Sequence, residues 1–166
     1  MKQPMVDSIV KYKLMHNEEN KNIIYISSEV YKLNRTPIEL VLNALKSFEK
    51  EYKLIIRLHP DDINYNFYHS LMEEYKISNY LIDQEGCLYE ILVKSDLIIG
   101  TRSTVLLEAL LLDKKVITIV SNEYELLSIL NNSNKLKNNE QNVLNFISRY
   151  FYKVDGKVCD RIVKQI

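Results

Sequence analysis

From Asn22 onward, short runs of aliphatic and aromatic residues alternate with longer segments whose apolar positions recur every three or four residues. Residues 23–27 (IIYIS) form a β-branched and aromatic run of strand type. Thr36-Pro37-Ile38-Glu39 then predicts a helix start: Thr36 as N-cap, Pro37 at the first position and Glu39 three residues past the cap. Ile38, Val41, Leu42, Leu45 and Phe48 carry its apolar stripe. Residues 53–58 (KLIIRL) make a second strand, ended by His59-Pro60. Asp61 or Asp62 can cap the next helix, with Ile63, Phe67, Leu71, Met72 and Tyr75 as its stripe. Residues 80–82 are a weaker third strand, followed by a helix over 86–94, a strand over 97–99, a helix over 103–112 and a strand over 116–120. Further helices are predicted near 123–130 and 140–152.

Strand alternating with helix five times implies right-handed βαβ crossovers and a mostly parallel sheet covered on both faces. The strands are near-continuous apolar runs, as strands buried on both sides must be. The expected fold class is α/β: a single doubly wound Rossmann-like domain with a five- or six-stranded sheet. It should span residues 22–156, after a polar leader or connecting helix over 1–21 and before a C-terminal helix over 157–166. Such sheets bind ligands at the carboxyl ends of their strands, where the winding reverses.

Four predicted strand ends carry polar residues that would meet on that edge. They are Ser27, Ser28 and Glu29; Arg57 and His59; Asp83, Gln84, Glu85 and Gly86; and Gly100, Thr101, Arg102, Ser103 and Thr104. The fourth group is the most informative. A glycine lets the backbone turn sharply from strand into helix, and the free amides of the first turn attract anions. Ser103 and Thr104 add hydroxyl donors and Arg102 a guanidinium. Thr101, Thr104 and Glu108 are spaced i, i+3, i+7, one polar stripe on an otherwise aliphatic helix. A phosphate on the amides and a sugar hydroxyl pair on Glu108 would fit that stripe. Other readings stand beside it: Ser103 and Thr104 as plain caps, Glu108 facing solvent or a distant Lys or Arg, His59 as a surface loop residue. His16 and His69 lie away from these ends and read as surface residues.

Composition narrows the field. The chain has 166 residues, with 22 basic and 22 acidic side chains and no block of like charge. It offers no electrostatic case for nucleic acid or an anionic membrane as partner. Residues 1–18 have no apolar run of signal-peptide type, and the run 105–112 is interrupted by Glu108 and too short to cross a bilayer. A cytoplasmic location is expected. Cys87 and Cys159 have neither metal-ligand nor disulfide-framework spacing, so reduced thiols and no metal site are expected.

His59-Pro60 after a strand, with SDLIIGTRSTVLLEALLLDKKVITI some forty residues on, resembles the nucleotide-binding C-terminal half of GT-B glycosyltransferases. The likeness is nearest to bacterial capsule and surface-polysaccharide enzymes: polysialyltransferase-type sialyltransferases and glycerophosphotransferases that polymerise teichoic acid. UDP-N-acetylglucosamine 2-epimerases are more distant. The resemblance implies that Ser103, Thr104 and their amides hold the phosphates of a nucleotide-activated donor, such as a CMP-, CDP- or UDP-linked sugar, with no further cofactor. It implies Glu108 for the ribose hydroxyls and His59 as the catalytic residue at the phosphate or leaving group. The loop containing Asp83, Gln84 and Glu85 would border the base, and Ser27 and Ser28 the mouth of the cleft. Thr101, from the stripe, is a further candidate for the nucleotide, and Arg102 either aids phosphate binding or lies on the surface. Arg102 replaces the small or aromatic residue commoner in that family.

GT-B enzymes carry two Rossmann-like domains, and 166 residues hold one. The expectation is therefore a half that binds nucleotide without catalysing transfer, completed by an absent N-terminal acceptor domain or a partner chain. Peripheral association with the inner membrane face and pairing of copies through the face left bare are compatible with it. The competing expectation is a non-catalytic nucleotide-binding or interaction module on the same fold.

Overall fold

Aliphatic runs of four or five residues can bury both faces only inside a sheet, and that is where the chain puts them. The computed structural model describes residue 12 and residues 22–27, 35–101, 103–119 and 122–132. Five strands, β1 (Asn22–Ile26), β2 (Lys53–Arg57), β3 (Tyr80–Asp83), β4 (Leu97–Gly100) and β5 (Lys115–Thr118), form one sheet in the order β3-β2-β1-β4-β5. Every pairing is parallel. Five helices alternate with them: α1 (Arg35–Lys46), α2 (Tyr65–Glu74), α3 (Leu88–Val93), α4 (Thr104–Leu111) and α5 (Glu123–Asn131). The chain is a Rossmann-like α/β domain whose sheet reverses its winding between β1 and β4.

Strand alternation divides the core in two. Ile23 and Tyr25 of β1 point to one face, where Leu54 and Ile56 of β2 join α1, α2 and α5. Ile24 and Ile26 point to the other, with Ile55, Ile98, α3 and α4. Register then levels the carboxyl edge: Ile26 pairs with Arg57 on one side and Gly100 on the other, and Arg57 pairs with Asp83.

Several boundaries differ from the pattern-based ones for local reasons. α1 begins at Arg35, so Thr36 and Pro37 lie inside its first turn, where a missing N–H costs nothing. Arg35 pairs with Glu39 at 2.9 Å. α2 begins only at Tyr65, with Asn64 at its cap position, and neither Asp61 nor Asp62 caps it. Asp62 is buried instead, and Ile63, assigned by spacing to the apolar stripe, is 89 % exposed. α3 is shorter than predicted, and β5 starts one residue earlier and ends sooner. His69 is half-buried, with Nδ1 2.6 Å from the Tyr80 hydroxyl, so it ties α2 to β3. The leader over 1–21, apart from Tyr12, the helix predicted over 140–152, the C-terminal helix, His16 and Cys159 lie outside the described residues.

Ile98 is fully buried in the middle of β4, against α3 and α4. Ile98→Ala should destabilise the domain by about 2–5 kcal/mol, read as a lower urea midpoint with an unchanged slope.

Candidate functional site

The carboxyl ends of β1 and β2 and the start of α4 enclose a cavity of about 340 Å³ at the point where the winding reverses. Ile26, Ser27, Arg57, Leu58, His59, Pro60, Leu88, Ser103, Thr104 and Val105 line it. A larger hollow, about 490 Å³, lies at the opposite edge among Lys50, Lys53, Lys76 and Asn79. The smaller one occupies the place where open α/β sheets take their ligands.

Ser27 is the first residue past β1 and is buried. Its hydroxyl accepts the His59 backbone N–H at 2.8 Å. It also donates to the Tyr68 oxygen, and the Tyr68 hydroxyl donates to the Asp62 carboxylate at 2.6 Å. Burial and the adjacent Asp62 carboxylate push the Tyr68 phenol well above its ordinary value, so its proton stays in place for that bond. Asp62 further accepts from the Asn64 backbone N–H at 3.0 Å and from the Asn64 amide at 3.2 Å.

His59 lines the cavity with its side chain partly exposed. Its Nδ1 accepts the Asp61 N–H at 3.2 Å, which leaves the proton of the neutral ring on Nε2. The Asp61 carboxylate lies 3.7 Å from the same Nδ1. On the backbone side, the Gln84 amide nitrogen spreads its protons over the carbonyls of His59, Pro60 and Asp62, at 2.8, 3.0 and 2.9 Å. Gln84 was expected beside a nucleotide base; its amide nitrogen is engaged in binding one loop to the next.

Arg57, at the end of β2, pairs with the Asp83 carboxylate at the end of β3 and donates to the Gly86 carbonyl at 2.9 Å. Asp83 in turn accepts the Gly86 N–H at 3.2 Å. A Cβ on residue 86 would stand 2.5 Å from the Asp83 oxygen, so a side chain here would push that carboxylate aside. Arg57 therefore lines the cavity while holding the 83–86 turn. Glu85 is exposed, and neither it nor Asp83 lines the cavity.

At the start of α4, Ser103 is the N-cap and accepts the Val105 N–H at 3.2 Å. Thr104 is the first helical residue and is exposed. Thr101 falls in the bend before the helix, so the predicted stripe of Thr101, Thr104 and Glu108 is not helical at its first member. Glu108 is only 6 % exposed and does not line the cavity. One partner is the Tyr89 hydroxyl of α3, whose pKa is raised by burial and then by that carboxylate. Tyr89 stacks against Tyr12, with ring centroids 5.4 Å apart. A phenol is not among the partners that the sequence suggests for Glu108, which are solvent, a cation and a ligand. Ser28 and Arg102 lie outside the described residues. Cys87 is free and exposed, and among the described residues no cluster of His, Cys, Asp or Glu could hold a metal ion.

A parallel sheet with helices on both faces and a polar cleft at its reversal point defines the Rossmann-like class of ligand-binding domains. Among solved structures, the chain is similar to a variant of the wall teichoic acid polymerase TagF soaked with CDPG. That match has a TM-score of 0.59 at 21 % identity, over 96 % of this chain and 44 % of that one. TagF itself gives a TM-score of 0.58 at 21 % identity, over 96 % and 45 %. TarM gives 0.55 at 12 % identity, over 90 % and 35 %. This chain thus spans less than half the length of these structures, and at such identities the likeness is one of fold. No family model matches the chain, and no curated protein sequence does. No helix among the described residues is long and apolar enough to cross a membrane.

Tyr89→Phe removes a donor from a buried carboxylate and should destabilise the domain by about 1–2 kcal/mol, measured by chemical denaturation. Glu108→Gln, which keeps an oxygen for the phenol, should lose less. Equal stability of wild type and Tyr89→Phe would show that Glu108 does not depend on this bond.

Proposed function

We propose that this chain is the donor-nucleotide-binding half of a transferase of bacterial surface or capsular polysaccharide synthesis, acting on a glycosyl or glycerophosphate donor. The observation that carries this reading is the cavity where the winding reverses, in which His59, Arg57 and Ser27 face Ser103, Thr104 and the first turn of α4. The helix start of α4 and the His59 imidazole N–H are the anion-directed donors of this reading, with the Arg57 guanidinium, held by Asp83, beside them. The fold shared with TagF over nearly all of this chain adds support.

In this reading α4, with Ser103 and Thr104, takes the phosphates of a CMP-, CDP- or UDP-linked donor, and Thr101 in the preceding bend borders them. His59 presents Nε2–H to the phosphate that departs with the nucleotide and stabilises its developing charge. The turn carrying Asp83, Gln84 and Glu85 borders the base through its backbone, since the Asp83 carboxylate and the Gln84 amide hold the neighbouring turns. Glu108 receives the ribose once the Tyr89 hydroxyl gives way. Acceptor binding belongs to a second domain or partner chain, at the cytoplasmic face of the membrane, and copies of this half could pair through the surface that domain would cover. By itself the chain binds nucleotide and transfers nothing. The Tyr89–Glu108 bond favours one rival, a non-catalytic module on the same fold, because it gives the acid a structural purpose.

Thermal shift against CMP, CDP, UDP and GDP tests for the nucleotide site and separates this reading from a pure interaction module. At a hundred times its dissociation constant, a bound nucleotide should stabilise the domain by about 2.7 kcal/mol; silence across the panel overturns the proposal. His59→Ala should weaken binding of the responding diphosphate by about tenfold and leave that of the nucleoside unchanged. Equal loss for both would make His59 structural.

A further inference from the structure

Asp62 is a carboxylate with 2 % of its surface exposed, set beneath the cavity between the end of β2 and the start of α2. A fold does not need a charge at such a position, and an apolar side chain would cost less to bury. What Asp62 has is a line of donors. The His59 N–H donates to the Ser27 oxygen at 2.8 Å, the Ser27 hydroxyl to Tyr68, and the Tyr68 hydroxyl to Asp62 at 2.6 Å. Each hydroxyl gives its single proton to the next group, so all three bonds run one way and end on a fixed negative charge. Chains of this kind strengthen each other in a low-dielectric interior, and Ser27 and Tyr68 are as buried as Asp62.

The chain starts at the backbone of His59, a residue that lines the cavity. It draws on three elements of separate origin: the end of β1, the loop after β2 and the middle of α2. We infer that Asp62, acting through Tyr68 and Ser27, is a positioning residue that holds the His59 backbone at one depth and orientation in the cavity. Gln84 grips the same loop from the carbonyl side, at His59, Pro60 and Asp62. Between them the N–H and C=O of His59 are both held, and its ring is oriented by the Asp61 amide. The inference rests on the reading that His59 meets a donor phosphate only for its consequence in binding, and not for the geometry.

Tyr68→Phe keeps the packed ring and removes the middle link, and neither Tyr68 nor Asp62 lines the cavity. In this variant, hydrogen exchange at the His59 amide should accelerate by about tenfold relative to the amides of β4, with shifted imidazole resonances for His59. Affinity for the diphosphate that responds in wild type should fall by a similar factor, with nucleoside affinity unchanged. Asp62→Asn retains an acceptor for Tyr68 without the charge and should show the same changes at reduced size; it carries the test if Tyr68→Phe does not fold. Unaltered His59 exchange and resonances in both variants would overturn the inference. A wild-type chain that binds no nucleotide while Tyr68→Phe still frees His59 would overturn the functional reading and leave the positioning chain standing.

Discussion

β1 is hydrogen-bonded on both sides, to β2 and to β4, and the position of every group in the cavity is set relative to its last residue. Parallel pairing makes Ile26 level with Arg57 and with Gly100, so three successive turns leave the sheet at the same height. None of them can be a tight hairpin, because a parallel neighbour demands a crossover. The turns are therefore free to carry polar side chains, and they do so side by side. A one-residue slip in the β1–β2 ladder would separate Ser27 from the His59 amide it accepts.

Much of this was visible in the residues. The strands, their parallel arrangement and the edge on which Ser27, Arg57, His59, Ser103 and Thr104 assemble all follow from apolar runs separated by helical periods. What stayed hidden was the pairing of polar groups over long sequence distances. Nothing near Glu108 announces Tyr89, and Gln84 carries no mark of its three carbonyl partners. Asp61 and Asp62 both stand where a helix cap is expected; a loop ordered by Ser27, Tyr68 and Gln84 delays the helix to Tyr65 and turns the Asp62 carboxylate inward. Spacing likewise misplaced Ile63, since periodicity applies only once a helix has begun. Local pattern finds elements, whereas buried polar partners are decided by tertiary approach.

Buried polar side chains sit at both edges of the sheet. Ser95 and Lys114, at the amino ends of β4 and β5, bond to the Ile91 and Val93 carbonyls, and a larger network occupies the carboxyl edge. The interior of the sheet is aliphatic and aromatic, whereas the carboxyl edge holds Ser27, Asp62 and the Arg57–Asp83 pair, together with the Glu108–Tyr89 bond behind the start of α4. Each polar group accepted there must be satisfied, and among the described residues no buried side-chain nitrogen or oxygen is left without a partner. Satisfied networks of this kind hold groups in a single arrangement. The edge is thus ordered before any ligand arrives, which reduces the entropy lost on binding.

The crossover from β3 to β4 has a consequence for the order of assembly. Asn22 at the start of β1 bonds through its backbone to Asp96, 74 residues further along the chain. During synthesis, β1, β2 and β3 can pair and gather α1 and α2 on one face while the opposite face of β1, with Ile24 and Ile26, still lacks α3, α4 and β4. Non-local parallel pairing of this sort slows folding and leaves an apolar sheet surface open to solvent in the interim. The nascent chain is accordingly most vulnerable to aggregation in the interval before residues 97–112 emerge.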